Sequence, residues 1–415
     1  MRKPLQAKKP GQGHDRPMKV VGKADGERLS CGSESARLGV MRSLRAVIMF
    51  ITIFTLIYGT AHLYVWWRLA HPLKLTGMPL RLLQVAVALL FLSFPVIHFG
   101  LRHLNGPVLS AANFISAVWM GMIVYFVFVT LGFDLARVTV LRPMPAGPLM
   151  SAIVTGVVLL ITGYGLFEAR SVGVTRLIVP IRGLPAGLAG FRIAQISDVH
   201  MGLIVRGARL ETIVNKVNEL DADLIVITGD LVDAEALHME DMVHPLRRLR
   251  SRHGVYAVTG NHEYYAGVDQ AQRFIESAGV VLLRNRWVTV AGGLQLVGRD
   301  DPAGQHVTGQ VAPSLAEILA GTDSEKPIIF LYHTPATSME ELVRLGVDLQ
   351  LSGHTHRGQL WPFNFFVRRV FKTYYGMFTE GDTTVYVSRG TGTWGPPMRV
   401  GAPPEITLIT LSEKK

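Results

Sequence analysis

The sequence predicts an α/β domain whose core is sandwiched in layers, preceded by an all-α region of four membrane-spanning helices. Three observations carry this. The chain is 49% hydrophobic and only 18% charged, against roughly a quarter charged in soluble domains. Its first 170 residues contain four long stretches without Asp, Glu, Lys or Arg. From about Leu177, short apolar runs alternate with amphipathic segments, the pattern of strands laid between helices.

Residues 1–46 hold Lys, Arg, Gly, Ser and Pro without apolar periodicity and are expected to be a disordered basic arm. The charge-free stretches are Val47–Trp67, Leu82–Gly100, Val108–Phe133 and Leu149–Phe167, within a membrane region expected at 47–170. Each is roughly 28–39 Å long as a helix, enough for a hydrocarbon core of about 30 Å. Tyr64, Trp66 and Trp67 suit an interface. An even number of spans puts both flanks on one side. The N-terminal flank carries Lys19, Lys23, Arg28, Arg37, Arg42 and Arg45, and the segment after the fourth helix carries Arg170, Arg176, Arg182 and Arg192. That excess predicts a cytoplasmic N-terminus and a cytoplasmic C-terminal domain.

Residues 171–190 read as a linker and 191–415 as the globular domain. Strands are expected at Phe191–Ile196, Leu224–Thr228, Tyr256–Thr259, Gln295–Val297, Ile328–Tyr332, Leu349–Leu351, Val385–Val387 and Ile406–Leu411, with helices at Leu210–Leu220 and Val243–Leu249. A domain of this size buries a core without staples. The net charge of +11 divides into +7 for the arm, +5 for the membrane region and −1 for residues 171–415. The only part large enough to fold as a domain is therefore neutral, and nucleic acid is not an expected partner. Cys31 is the single cysteine, which excludes an intrachain disulfide and a thiolate metal site.

Ionisable residues cluster where apolar runs end: Asp198-Val199-His200 after FRIAQIS, Gly229-Asp230 after LIVIT, Gly260-Asn261-His262-Glu263 after VYAVT, His333 after IIFLY, and Gly353-His354-Thr355-His356 after VDLQLS. Open α/β sheets place their sites at such carboxyl ends. In an extended segment residues i and i+2 project to the same side, so Asp198 with His200 and His354 with His356 are expected to face one point each. Imidazole, carboxylate and amide donors without thiolate suit Mn²⁺, Zn²⁺ or iron. The donors outnumber what one tetrahedral ion needs, which favours two divalent ions bridged by a carboxylate.

These blocks resemble the calcineurin-like metallophosphoesterases, whose pattern is D-x-H, G-D, G-N-H-[DE], H and G-H-x-H; every block is here in order, over about Phe191–Leu411. GNHEYY at 260–265, SGHTHRGQLWP at 352–362 and SRGTGTWGPPMR at 388–399 resemble the family's membrane-linked branch, which includes YkuE-like phosphodiesterases and transmembrane proteins with a metallophosphoesterase domain. The resemblance implies a layered β-sandwich flanked by helices. It also implies one metal on Asp198, His200, Asp230 and His356, a second on Asp230, Asn261, His333 and His354, and Asp230 as the bridge. Manganese is placed ahead of zinc and iron. His262 takes the family's role of general acid or charge stabiliser at the leaving group. Asp233 resembles the aspartate that orients such a histidine, but Ala234 stands where phosphoprotein phosphatases carry Arg. Phosphodiester or pyrophosphate hydrolysis, in a lipid or a nucleotide-linked substrate, is the expected activity. The alternative is a membrane sensor or scaffold with a structural metal site.

The segment WPFNFFVRRVFKTYYGMF, residues 361–378, mixes aromatics with Arg368, Arg369 and Lys372. It suits a membrane interface and equally a flap folded on its own domain. Oligomeric state is not legible.

Overall fold

The computed structural model describes residues 49, 51–101, 106–139, 147–233 and 242–414. The basic arm, the start of the first expected span and Ala234 lie outside the described residues.

The first helix, α1 (residues 51–65), passes through a π-turn at Trp66–Ala70. Then come α2 (Gly77–Pro95), α3 (Pro107–Thr139) and α4 (Pro148–Glu168). Among the described residues, three helices are long and apolar enough to cross a membrane: Gly77–His98, Pro107–Thr139 and Pro148–Glu168. Their bundle is joined by aromatic stacking of Tyr58 on Phe91 (ring centroids 5.5 Å). Arg68 pairs with Asp134 on α3, whose carboxylate also accepts from the Tyr64 hydroxyl at 3.1 Å.

The C-terminal part is an α/β fold with two mixed sheets. One sheet runs β1 (Gly173–Ile181), β12 (Glu405–Glu413), β2 (Arg192–Ile196), β3 (Leu224–Thr228), β4 (Val255–Val258) and β5 (Val281–Leu282) in spatial order. The other runs β10 (Gly376–Glu380), β11 (Thr383–Val387), β9 (Leu349–Ser352), β8 (Ile328–Leu331), β7 (Leu294–Gly298) and β6 (Arg286–Val290). Pairing is parallel along β2, β3, β4 and β5 and along β7, β8, β9 and β11. The side-chain period of two divides each strand between clusters. Ile193, Leu224, Val226 and Ile409 of the first sheet share a buried cluster with Leu296, Ile329, Leu331 and Leu351 of the second. The opposite face of the first sheet, including Ala194, Ile196, Ile225 and Ile227, meets Leu210, Ile213, Val214 and Val217 of α5 (Ala208–Glu219).

Residues 173–181, read from the sequence as linker, are strand β1, pairing in parallel with β12. Pro180 is accommodated because β1 is an edge strand, where a missing N–H is tolerated. Strands β5, β6 and β10 were also not expected.

The domain sits directly on the bundle. The Arg399 amide donates to the Gly165 carbonyl of α4 at 2.9 Å. Arg209 and Lys216 of α5 donate to the carbonyls of Ala169 and Val172 at 3.0 and 2.7 Å. Met398 is fully buried in a cluster with Tyr125, Phe126 and Val158. It lies over Gly121 of α3, where an added Cβ would come within 2.8 Å of its sulfur.

Candidate metal centre

The predicted ligand blocks all lie just beyond the carboxyl ends of parallel strands: β2, β3 and β4 of one sheet, β8 and β9 of the other. The chain does not reach them in extended form. Asp198 (φ 52°), His200 (51°), Asp230 (49°), His354 (71°) and His356 (48°) all adopt the left-handed conformation. Asp198 and His200 therefore meet because a tight loop curls them inward, not because a strand alternates, and His354 and His356, expected to face one point, part into different groups. For residues other than glycine this backbone costs energy, about 1–3 kcal/mol each, and such positions concentrate at functional sites.

Two groups of ligand atoms form within this cradle, each gathered within 4.8 Å: Asp198, His200 and His356, and Asp230, His333 and His354. Asp230 lies between them. Its Oδ2 is 3.2 Å from His333 Nε2 and 3.7 Å from His200 Nε2. Asn261 Oδ1 lies 2.9 Å from His354 Nδ1, so Asn261 joins the second group. A third grouping, His200, Asp233 and His262, has a different character. Asp233 Oδ1 lies 3.0 Å from His200 Nδ1 and 2.7 Å from His262 Nδ1. An aspartate holding both Nδ1 atoms fixes both rings, the usual support behind a metal-binding or acid histidine, and turns His200 Nε2 to 3.1 Å from His356 Nε2.

Other contacts fix the cradle. His333 Nδ1 donates to the Thr228 carbonyl at 2.7 Å, turning Nε2 towards Asp230. The His354 amide donates to Asp198 Oδ1 at 3.0 Å, and the His262 amide to Asp230 Oδ1 at 2.9 Å. A Cβ at Gly260 would collide with the Asp230 carboxylate, so glycine is required at that approach.

Two supports escaped the sequence reading. Glu263 is fully buried and accepts from the amides of Asp230 (3.0 Å), Leu231 (2.8 Å), Val232 (3.0 Å) and Gly260 (2.6 Å), tying the loop after β3 to the loop after β4. Its signal was its place in G-N-H-E, but nothing local says where the carboxylate goes. Arg399, also fully buried, donates to the carbonyls of Gly392 and Ala402 and brings Nη2 to 3.2 Å from His356 Nδ1. No motif marks it.

The donor set fits divalent cations. Burial disfavours the charged form of Asp230, but His333 and His262 outweigh it and hold the carboxyl well below its ordinary range. Burial pushes His356 down to about 4, with Asp198 pulling the other way and Arg399 reinforcing the fall. Ionised carboxylates and neutral imidazoles are the states that cations bind. His333 differs: burial lowers it, Asp230 raises it more, and it stands well above its ordinary value. A cation there displaces that proton. His262 is raised to about 9, since the charges of Asp230 and Asp233 outweigh burial. The rings of Tyr265 and Trp394 stand 5.6 and 6.3 Å from that of His262, and the ring of Phe371 stands 5.5 Å from that of His354.

Strand-end carboxylates and imidazoles converging on two adjoining points form a candidate metal-binding site. Residues 191–358 match the family described as calcineurin-like phosphoesterase. A metallophosphoesterase of Aquifex aeolicus, itself named uncharacterized, is 33% identical over 62% of this chain and 98% of its own length. A bovine transmembrane protein with metallophosphoesterase domain is 36% identical over 65% of this chain and 63% of its own length, and Bacillus subtilis YkuE is 31% identical over 60% and 90%. The chain spans 60% of the length of two Helicobacter pylori relatives. It belongs to the calcineurin-like metallophosphoesterase family, a family of metal-binding hydrolases.

Proposed function

We propose that the protein is a membrane-anchored phosphohydrolase that uses two divalent ions to cleave a phosphodiester or pyrophosphate bond, with its catalytic domain on the cytoplasmic side. The observation that carries this reading is the position of Asp230 Oδ2 between two ligand groups. Asp198, His200 and His356 would hold one ion, and His333, His354 and Asn261 the other, with Asp230 shared; Mn²⁺, Zn²⁺ and iron all suit these donors. Bound there, the ions supply Lewis-acid polarisation of the phosphoryl group and lower the pKa of the attacking water.

The remaining chemistry belongs to side chains. Asp233, accepting from His262 Nδ1, directs Nε2 outward, where it donates a proton to the departing oxygen. Trp394, half exposed beside that ring, supports a substrate with an apolar or aromatic group next to the phosphorus. Ala234, in place of arginine, argues against phosphoproteins. A nucleotide-linked or lipid phosphoester is the favoured substrate class, and four spans with the charge excess on their shared side support the cytoplasmic assignment.

The test uses the full chain in detergent, stripped by chelator and reloaded with Mn²⁺, Zn²⁺ or Fe²⁺, acting on bis(4-nitrophenyl) phosphate and 4-nitrophenyl phosphate. Turnover is expected to return with metal, to favour the diester, to vanish in Asp230→Asn and to fall about 10²-fold in His262→Ala. Turnover that survives stripping, or a protein that binds no metal, overturns the reading.

A further inference from the structure

His262 does not stand alone at the edge of the ligand cleft. Tyr265, one turn on in the short helix Asn261–Ala266, and Trp394, in the stretch 388–399, flank it with ring centroids 5.6 and 6.3 Å from that of the histidine. Both cross the imidazole steeply, at 62° and 81°, so neither lies flat against it. Tyr265 is 57% exposed and Trp394 51%, although the large apolar area of an indole is usually well covered.

Trp394 is held in that place. The side-chain amide of Gln359, itself buried, accepts from the Trp394 amide at 2.9 Å and donates to the carbonyls of Trp394 and Pro396 at 2.8 and 3.0 Å. Gln359 lies three residues after His356, on left-handed backbone (φ 50°), so the loop that carries a ligand histidine also fixes the indole beside the acid histidine. The next residue, Gly395, packs so closely on α3 that an added Cβ would come within 3.0 Å of the Met120 methyl. A ring left half in solvent on a backbone pinned from both sides is preorganised, and a partner stacking on it has little further to order.

The place of His262 in the reaction decides what lies there. As the oxygen of water bonds to phosphorus, the bond from phosphorus to the departing oxygen breaks and the electron pair stays on that oxygen. It takes the His262 Nε2 proton, since Nδ1 is engaged by Asp233 at 2.7 Å, and the proton of water passes to solvent. Whatever the departing oxygen carries is therefore released beside Tyr265 and Trp394. Two aromatic faces suit a flat ring, which pairs with them at centroid distances of roughly 4.5–7 Å. An acyl chain needs a continuous apolar trough, and the groups next to these rings are the polar side chains of His262, Asp233 and Gln359.

We propose that Tyr265 and Trp394 form the leaving-group subsite, that it takes a flat aromatic ring such as a nucleobase carried on the departing oxygen, and that Gln359 is a positioning residue that holds the indole there. The subsite rests on the hydrolase reading with His262 as the acid and is independent of the membrane spans. It narrows the substrate class from nucleotide-linked or lipid phosphoesters to those whose leaving group bears a ring.

The test uses the full chain in detergent, loaded with Mn²⁺, turning over bis(4-nitrophenyl) phosphate in the presence of ethyl-, cyclohexylmethyl- or 2-naphthylmethylphosphonate. In each inhibitor a carbon stands in for the departing oxygen, so none is cleaved. The naphthylmethyl compound is expected to bind at least about tenfold tighter than the ethyl compound, with the cyclohexylmethyl compound between them. Trp394→Ala should bring that ratio to about twofold or less, Trp394→Phe should keep most of it, and Gln359→Ala should lower it in part. Because the ratio is taken within each variant, a general loss of folded protein does not move it. A ratio near one in the unmutated protein, or one that survives both Trp394→Ala and Tyr265→Ala, overturns the subsite and leaves the hydrolase reading standing. Cyclohexylmethyl binding as tight as naphthylmethyl gives the place to an aliphatic group and overturns the flat ring. Loaded protein that turns over no diester fails as a hydrolase, and the subsite falls with it.

Discussion

The floor and the rim of the ligand cleft are built on opposite rules. On the floor, Asp198, Asp230 and His333 are almost wholly buried, and each of them is bonded across to another loop. On the rim, Tyr265, Trp361, Phe365, Phe366 and Trp394 are more than half exposed. The floor is a closed set of mutual restraints, in which loops from two sheets hold one another in strained conformations. The rim is shaped by what lies outside the domain. Chemistry demands the first arrangement, since ligand atoms misplaced by an ångström do not share a cation. Recognition of a surface or an amphiphile demands the second.

The floor breaks most severely at Glu263. Removing its carboxylate in Glu263→Ala leaves four backbone amides without their acceptor in a buried place, and each orphan costs about 1–3 kcal/mol before relaxation. Thermal unfolding of the full chain in detergent should show a loss on the order of 3 kcal/mol or more, and metal content should fall below that of the unmutated protein. Glu263→Gln keeps one oxygen and should fall between. Unchanged stability and metal content in Glu263→Ala would mean that the loops after β3 and β4 hold their own shape.

The next effect sharpens the boundary between floor and rim, because His262 belongs to both. Asp230 and Asp233 raise it to about 9, so it carries a proton at neutral pH and loses it on the alkaline side. Cations bound beside Asp230 offset part of that field, so the alkaline limb of kcat/KM in loaded protein should lie at or below about 9. Asp233→Asn removes one raising charge and should move the limb to lower pH. His262→Ala should erase it. A limb that stays in place in both variants assigns the titration to another group.

How much could be read in advance follows the same division. The gathering of Asp198, His200, Asp230, Asn261, His262, His333, His354 and His356 was legible because each follows a short apolar run, and a run ending in a donor side chain is a local pattern. The conformation that gathers them was not: alternation along a strand suggested two pairs, whereas left-handed loops bring Asp198 and His200 together and send His354 and His356 to different groups. Glu263 and Arg399 act on partners remote in sequence or on backbone atoms, which no spacing announces. Strands β1 and β10 lie at sheet edges: GMFTE of β10 lacks the apolar run that marked the interior strands, and in GVTRLIVPI of β1 the run is only Leu177–Val179, bounded by Arg176 and Pro180. The rim aromatics were visible in 361–378, but whether they faced outward or inward depended on α3, which the segment itself does not encode.

The smallest effect tests how firmly the floor depends on the membrane bundle. The closing segment touches both: Gly392 donates its amide to the Asp198 carbonyl at 2.9 Å, and six residues on Met398 lies over Gly121 of α3. Gly121→Ala already brings its Cβ to 2.8 Å from the Met398 sulfur and 3.1 Å from the Pro396 ring, so it should cost something, though little if both neighbours give way. Gly121→Leu adds three further carbons at the same crowded place, and overpacking of this kind costs about 1–3 kcal/mol. The strain has one covalent route inward, through 392–398 to the backbone beside Asp198. Thermal unfolding and metal affinity of Gly121→Leu, measured together in detergent, therefore separate two arrangements. Lowered stability with weakened metal binding means the bundle helps position the ligand loop. Lowered stability with metal binding intact means the loop is held by the domain alone and the bundle only carries it.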